Sequence, residues 1–254
     1  MRFTAWGATN VGMRRDHNED AFSVREDLRL CVVADGMGGH AGGALASAMA
    51  VRTVVDAVAA RVDLIDPARS HVGELRESPV AELLSTSVRT ACGAIFRRAN
   101  AERHLIGMGT TVVSCLFHGL HAFVAHVGDS LAYLVRQGRT TQITEDHSLV
   151  NEQVQAGLIT PEQAKVSRFK NIITRSVGFE KDIAVDVAAV ALHVGDCFIL
   201  CCDGLSNLVE SEEIGTVVEE NFLRFVPDLL IGIANDRGGD DNITVTVAYV
   251  DQVP

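Results

Sequence analysis

Between Thr110 and Ile143 the chain runs through four apolar, β-branched segments whose links are too short for any pairing except antiparallel. Thr110 to Phe117, Leu120 to Val127, Leu131 to Arg136 and Arg139 to Ile143 are separated by two or three residues, whereas a parallel neighbour needs a crossover of about a dozen residues or more. The last link, Gln137-Gly138, has the chemistry of a two-residue hairpin turn. An all-parallel sheet is thereby excluded for this stretch. Upstream, Leu30 to Ala34 reads as a buried strand closed by Asp35-Gly36. A glycine-rich stretch to Gly43 follows, then a helix over Ala44 to Val62, apolar around much of its circumference. Asp63 to Pro79 reads as a connection, and Val80 to Glu102 resumes helical spacing.

Downstream, Asp146 can cap a helix to about Ala156, and Thr160-Pro161-Glu162-Gln163 combines a capping box with proline at the first helical position. Strands are expected near Ile183 to Ala189 and Cys197 to Cys202, two helices between Ser211 and Asn235, and a terminal strand over Ile243 to Val250. Antiparallel strands followed by helices predict an α+β fold with helices covering sheet faces. No repeat or composition shift marks a boundary, so residues 1–254 are expected to form a single domain.

Composition narrows the partners. With 22 basic and 33 acidic residues the formal charge is −11, which leaves no basic footprint for nucleic acid. No uninterrupted apolar stretch reaches the roughly 18 residues of a membrane span, and the first residues carry no apolar run with a basic flank. A cytoplasmic protein is expected. Cys31, Cys92, Cys115, Cys197, Cys201 and Cys202 lie mostly in apolar β-like runs without C-x-x-C spacing, the pattern of buried reduced thiols.

Acidic residues recur in glycine-containing turns at the ends of strand-like runs: Asp35-Gly36, Gly128-Asp129, Asp203-Gly204, and Asp240-Asp241 just before the final strand. Glu19-Asp20 precedes a further short run, Ala21 to Val24. Each alone is an ordinary turn, since Asp and Gly are favoured there for backbone reasons. Together they can converge on one rim, where mutual repulsion would force protonation unless a cation neutralised them. Oxygen ligands without a His or Cys cluster favour Mg²⁺ or Mn²⁺. The G-x-G-x-x-A spacing within Gly36 to Ala41 has no acidic residue at the end of a second strand, as a dinucleotide site requires, and Asp56 falls within the predicted helix.

Six ordered segments carry a family resemblance: Arg15-Asp16-His17-Asn18-Glu19-Asp20, Asp35-Gly36-Met37-Gly38-Gly39-His40, Gly109-Thr110-Thr111, Val127-Gly128-Asp129-Ser130, Cys202-Asp203-Gly204-Leu205 and Gly239 to Thr244. Across nearly the whole chain they resemble the motifs of the metal-dependent PPM family, the type 2C serine/threonine protein phosphatases, in their compact bacterial form. The resemblance implies a β-sandwich of two antiparallel sheets flanked by helix pairs. It implies that Asp35 bridges two ions, Mn²⁺ or Mg²⁺, that the Gly36 carbonyl and Glu19 serve one and Asp203 and Asp241 the other, and that Asp20 supports the site. Asp129 is implied at a weaker third ion. Arg15, three positions before Asn18, is implied as the phosphate anchor in place of Arg14, and His40 as the general acid. The implied reaction is in-line attack of a metal-activated water on phosphoserine or phosphothreonine, with no covalent intermediate.

This chain has Leu131 where the family usually has arginine, Cys202 where serine is common, and a flap over about 155–171 without the frequent His-Pro but with Lys165, Arg168 and Lys170. The implied partners are phosphorylated proteins and a cognate bacterial serine/threonine kinase, acted on by a monomer. The competing reading is a non-catalytic phosphoprotein-binding module on the same fold. The presence of every expected carboxylate, Arg15 and His40 favours the enzyme.

Overall fold

The computed structural model describes residues 2–39, 41–65 and 78–253; His40 lies outside the described residues. The strands are β1 (Arg2–Asn10), β2 (Ala21–Arg25), β3 (Leu30–Ala34), β4 (Gly36–Met37), β5 (Gly109–Thr110), β6 (Val112–His118), β7 (His121–Val127), β8 (Leu131–Arg136), β9 (Arg139–Gln142), β10 (Asp186–Ala191), β11 (Cys197–Cys201) and β12 (Ile243–Gln252). The α-helices are α1 (Ala41–Ala59), α2 (Val62–Ile65), α3 (Pro79–Ala101), α4 (Leu149–Gln155), α5 (Pro161–Lys165), α6 (Asp203–Ser206), α7 (Ser211–Glu220) and α8 (Val226–Asp236). One five-stranded sheet has the order β1-β12-β11-β8-β9, the other β10-β7-β6-β3-β2, and β4 pairs with β5. Every pairing is antiparallel.

The two large sheets face each other, with α1 and α3 on the outside of one and α7 and α8 on the outside of the other. Three apolar layers result. Strand β3 shows how alternation builds them: Leu30, Val32 and Ala34 face the helices, while Cys31 and Val33 face the opposite sheet. Because both faces are covered, the strand is apolar throughout. In the central layer Phe117 stacks on Phe3 at 5.0 Å between ring centroids and meets Phe198 edge-on at 5.2 Å, joining the sheets.

Local chemistry explains most element boundaries. Gln137 and Gly138 both take positive φ, 50° and 75°, as the tight hairpin requires. Ser78 caps α3 ahead of Pro79, and Thr160 with Gln163 completes the expected capping box of α5. Three expectations shift. Helix α1 begins within the glycine stretch, because Gly43 lies against Glu19: a Cβ there would stand 2.0 Å from Glu19 Oε2. Ser148, not Asp146, caps α4, its hydroxyl accepting from Asn151 N–H at 3.3 Å, while the Asp146 carbonyl takes the Asn151 side chain. The strand expected from Ile183 starts at Asp186.

All six cysteines are free and buried. Within α1, Gly42–Ala59 is long and apolar enough to cross a membrane by length and composition. Here its apolar side packs with α3 against the sheet, and Arg52 and Asp56 pair at 3.7 Å on the outer side. Leu131, in place of the family's usual arginine, is buried with Tyr133 and Ile199 beneath α7 and α8.

Candidate active site

The acidic turns do converge. Glu19, Asp35, Gly36, Asp129, Asp203 and Asp241 line one cavity of about 680 Å³, to which Arg14 and Arg15 also contribute. Asp35 leaves the end of β3 with its backbone pinned on both sides: its N–H donates to Thr111 Oγ1 at 2.9 Å, and its carbonyl accepts from Thr111 N–H at 2.8 Å and Thr110 Oγ1 at 2.7 Å. Gly36 admits no side chain, since a Cβ would stand 2.2 Å from the Gly43 carbonyl oxygen and 2.4 Å from that of Glu19. Asp203 opens α6, where Asn207 donates to it at 3.0 Å.

Asp20 sits behind the cavity, one oxygen accepting from Thr244 Oγ1 at 2.6 Å. Arg15 donates to Asp241 Oδ2 at 2.6 Å, and Asp241 Oδ1 takes the Asn242 N–H at 2.8 Å. Arg14 is instead largely exposed, 3.9 Å from the equally exposed Asp240. The structure thus separates the adjacent arginines, with Arg15 against the carboxylate cluster. Two of the basic flap residues are otherwise engaged: Lys165 bonds Glu210 at 2.6 Å and Arg168 lies over the Phe169 ring.

Electrostatics show what the cluster is suited to hold. Burial, then the charges of Asp20, Asp203, Asp129 and Asp241, push the Asp35 carboxyl well above the usual range. Burial raises Asp129 and Asp203 as well, helped by Asp203 and Asp241 respectively, and pushes Asp20 up to about 7. Among the described residues, Asp20 Oδ1 and Asp129 Oδ1 are buried without any hydrogen-bond partner. A buried, unsatisfied carboxylate oxygen is costly, and neighbouring carboxylates want a cation. The donor set fits hard divalent ions bound through oxygen. Cys202 Sγ lies within 4.8 Å of Asp20 and Asp35 oxygens, but burial keeps the thiol protonated, and it donates to the Asn242 carbonyl at 3.3 Å while accepting from Thr244 N–H at 3.1 Å. It is no thiolate ligand.

Residues 13–238 match the family model described as Protein phosphatase 2C. The chain belongs to that family. The serine/threonine phosphatase stp of Listeria welshimeri is 36% identical to this phosphatase, over 93% of the present chain and 92% of its own. The solved serine/threonine phosphatase PstP/Ppp of Mycobacterium tuberculosis superimposes with a TM-score of 0.85 at 33% identity, covering 98% of this chain and 99% of that one. A PstP catalytic domain solved in complex with two manganese ions gives a TM-score of 0.81 at 34% identity, with 98% and 99% covered. The protein is a metal-dependent serine/threonine protein phosphatase, a hydrolase of phosphoric monoesters on phosphoproteins, with Mn²⁺ or Mg²⁺ as cofactor.

Sequence reasoning missed two parts of this site. Asn242 is its hub: Nδ2 donates to the carbonyls of Val11 and His17, each at 2.9 Å, and Oδ1 accepts the Glu19 N–H at 2.8 Å. Its place beside Asp241 in the last motif was the available signal. The second part, the lining supplied by Asn171, Thr174, Arg175 and Phe179, comes from a segment without periodicity.

Proposed function

We propose that Asp35, the Gly36 carbonyl, Glu19, Asp203 and Asp241 hold two divalent ions, with Asp20 supporting the site and Asp129 serving a weaker third. The observation that carries this reading is the pair of buried carboxylate oxygens without partners, Asp20 Oδ1 and Asp129 Oδ1, in a group whose members repel one another. Bound divalent ions supply Lewis acidity, lowering the pKa of a water toward neutrality and offsetting charge on the phosphoryl group.

The chain's own groups do the rest. Arg15, held by Asp241 through one Nη, keeps the remaining N–H groups of its planar fork for phosphate oxygens. Asn242 holds the Arg15 to Glu19 arm beside Asp241, which fixes the anchor relative to the metal carboxylates. His40, carried over from the family motif, is assigned the proton that a serine or threonine alkoxide needs on leaving. The phosphate is transferred to water without a covalent enzyme intermediate.

The phosphatase works as a cytoplasmic monomer, one domain over 1–254 with a flap at about 155–171, and it reverses a cognate bacterial serine/threonine kinase. Asp203→Asn tests the site. Mn²⁺-dependent phosphate release from both p-nitrophenyl phosphate and a phosphothreonine peptide should fall at least ~10²-fold, on the scale of losing one strong electrostatic contributor. Turnover undiminished on either substrate would refute the ligand assignment.

A further inference from the structure

Behind the cavity wall lies a second cluster of titratable groups, His126, His147 and Asp186, whose ligating atoms all fall within 4.8 Å of one another. Its hydrogen bonds argue against a metal. The Gly128 amide can only donate, and it does so to His147 Nδ1 at 3.1 Å, so the ring proton sits on Nε2, which gives it to Asp186 Oδ2 at 2.9 Å. Neither nitrogen of His147 keeps a free lone pair. Arg175 adds a positive charge 3.2 Å from both Asp186 oxygens, where a cation would have to compete, and His126 Nε2 is engaged by the Glu145 carbonyl.

The same bonds define a different role. His147 grips Gly128 twice, through its ring and through its own N–H, which donates to the Gly128 carbonyl at 3.1 Å. Its carbonyl accepts Thr174 N–H at 2.8 Å and Thr174 Oγ1 at 3.0 Å, and Thr174 lines the cavity. Gly128 holds φ +110, with Thr111 Cγ2 2.6 Å from where a Cβ would be, so the turn has little freedom on that side either. The next residue is Asp129, 8% exposed, with its Oδ1 unpartnered and its side chain on the cavity.

We propose that His147 is a positioning residue: by accepting the Gly128 amide at Nδ1 while Asp186 fixes its tautomer, it aims Asp129 at the weaker ion and ties that turn to the Thr174-Arg175 wall. The proposal rests on the reading of Asp129 as a ligand of the third ion. It follows a general pattern in which hydrogen bonds one layer behind a ligand set its orientation and change metal affinity by about 10- to 100-fold when removed.

Two substitutions in the full chain separate the ring's two bonds. His147→Asn places an amide oxygen where Nδ1 stands and keeps the Gly128 acceptor, whereas His147→Gln keeps a donor toward Asp186 and lacks that acceptor. Hydrogen exchange in metal-free protein reads the clamp directly. The Gly128 amide should exchange at least ~10-fold faster in His147→Gln and stay near the wild-type rate in His147→Asn, consistent with loss of a single buried bond worth about a factor of ten. Calorimetric Mn²⁺ titration should show the weaker class of sites loosened ~10-fold or more in His147→Gln only. Melting temperatures of both variants serve as the control for folding. Equal Gly128 exchange in the two variants would overturn the clamp. If the exchange pattern holds but neither His147→Gln nor Asp129→Asn changes the weaker Mn²⁺ sites, the assignment of an ion to Asp129 falls, and the positioning role falls with it.

Discussion

A carboxylate cluster built for cations should weaken the protein that has been stripped of them, and Asp35 is the place to measure it. Oxygens of Asp20 and Asp35 lie within 4.8 Å of each other. At an effective dielectric of about 20, two unit charges at that separation repel by about 3 to 4 kcal/mol. Part of that penalty is relieved by proton uptake, because burial pushes both carboxyls upward, helped at Asp35 by the charge of Asp20 and at Asp20 by those of Asp203 and Asp241, Asp20 to about 7. Asp35→Asn removes one charge outright, so metal-free variant protein at pH 8 should be more stable than metal-free wild type by about 1 to 3 kcal/mol. For a chain of this length, that is a rise in Tm of about 3 to 10 °C. The pH dependence has a definite sign. Between the unfolded carboxylate pKa near 4 and the folded value of about 7 for Asp20, the folded state binds protons that the unfolded chain does not, so stability falls as pH rises through that window. The advantage of the variant should therefore be full at pH 8 and shrink toward pH 5. Mn²⁺ should reverse the ranking: at about 100 times its Kd, one ion stabilises by about 2.7 kcal/mol, a benefit the variant largely forgoes. Scanning calorimetry of chelator-treated protein, with and without Mn²⁺, reads all of this. A metal-free variant that melts at or below wild type at pH 8, or a gap that does not narrow at pH 5, would refute the stored repulsion.

His40→Ala should slow a phosphothreonine peptide by about 10²-fold or more while leaving p-nitrophenyl phosphate, whose leaving group needs no proton, within a few-fold; equal losses in steady-state assays would remove His40 from the acid role. Away from the site, Arg136 holds Asp196, whose side chain is 1% exposed, through two 2.6 Å bonds, and Asp196 also accepts the His193 N–H. Asp196→Ala should cost about 2 to 4 kcal/mol and lower Tm by about 5 to 15 °C, with the turnover of folded protein unchanged at 25 °C. A shift under 2 °C would show that the pair contributes little.

What the sequence disclosed is what local chemistry decides. The hairpin at Gln137-Gly138, the capping box at Thr160 and the helix after Ser78-Pro79 each carry their own signal within a few residues. Strand β1 does not: only Phe3 and Ala5 are buried in its first half, and its partner is β12 at the other end of the chain, with Ala5 opposite Ala248. Glycines 42 and 43 look like a loop because glycine is poor in helices by about 1 kcal/mol each, yet at Gly43 a Cβ would stand 2.0 Å from Glu19 Oε2 and 2.9 Å from the Gly36 backbone. The cavity lining between Asn171 and Phe179 was illegible for a related reason. Its course is set by bonds such as Val177 to Thr110, Leu149 to Ile172 and Thr174 to His147, none of which leaves a periodic trace.

The clustered carboxylates were legible because each flanks a strand, Asp35, Asp129 and Asp203 just after one and Glu19, Asp20 and Asp241 just before one, but their convergence depends on the pairing of the first and last strands. Arg15 and Asp241 meet across a sequence separation of 226, and the Asn242 bonds to Val11, His17 and Glu19 close the same seam. That seam continues directly from the β1–β12 register, which places Asn10 opposite Ile243. Arg15 and the Asp241 turn therefore come into register through the pairing of the first and last strands, whereas the β6–β7 and β8–β9 hairpins are local contacts. Without that pairing the acidic turns are not held together by these bonds. The repulsion among them appears only with the completed sandwich, in the same event that creates the site for the cations that offset it.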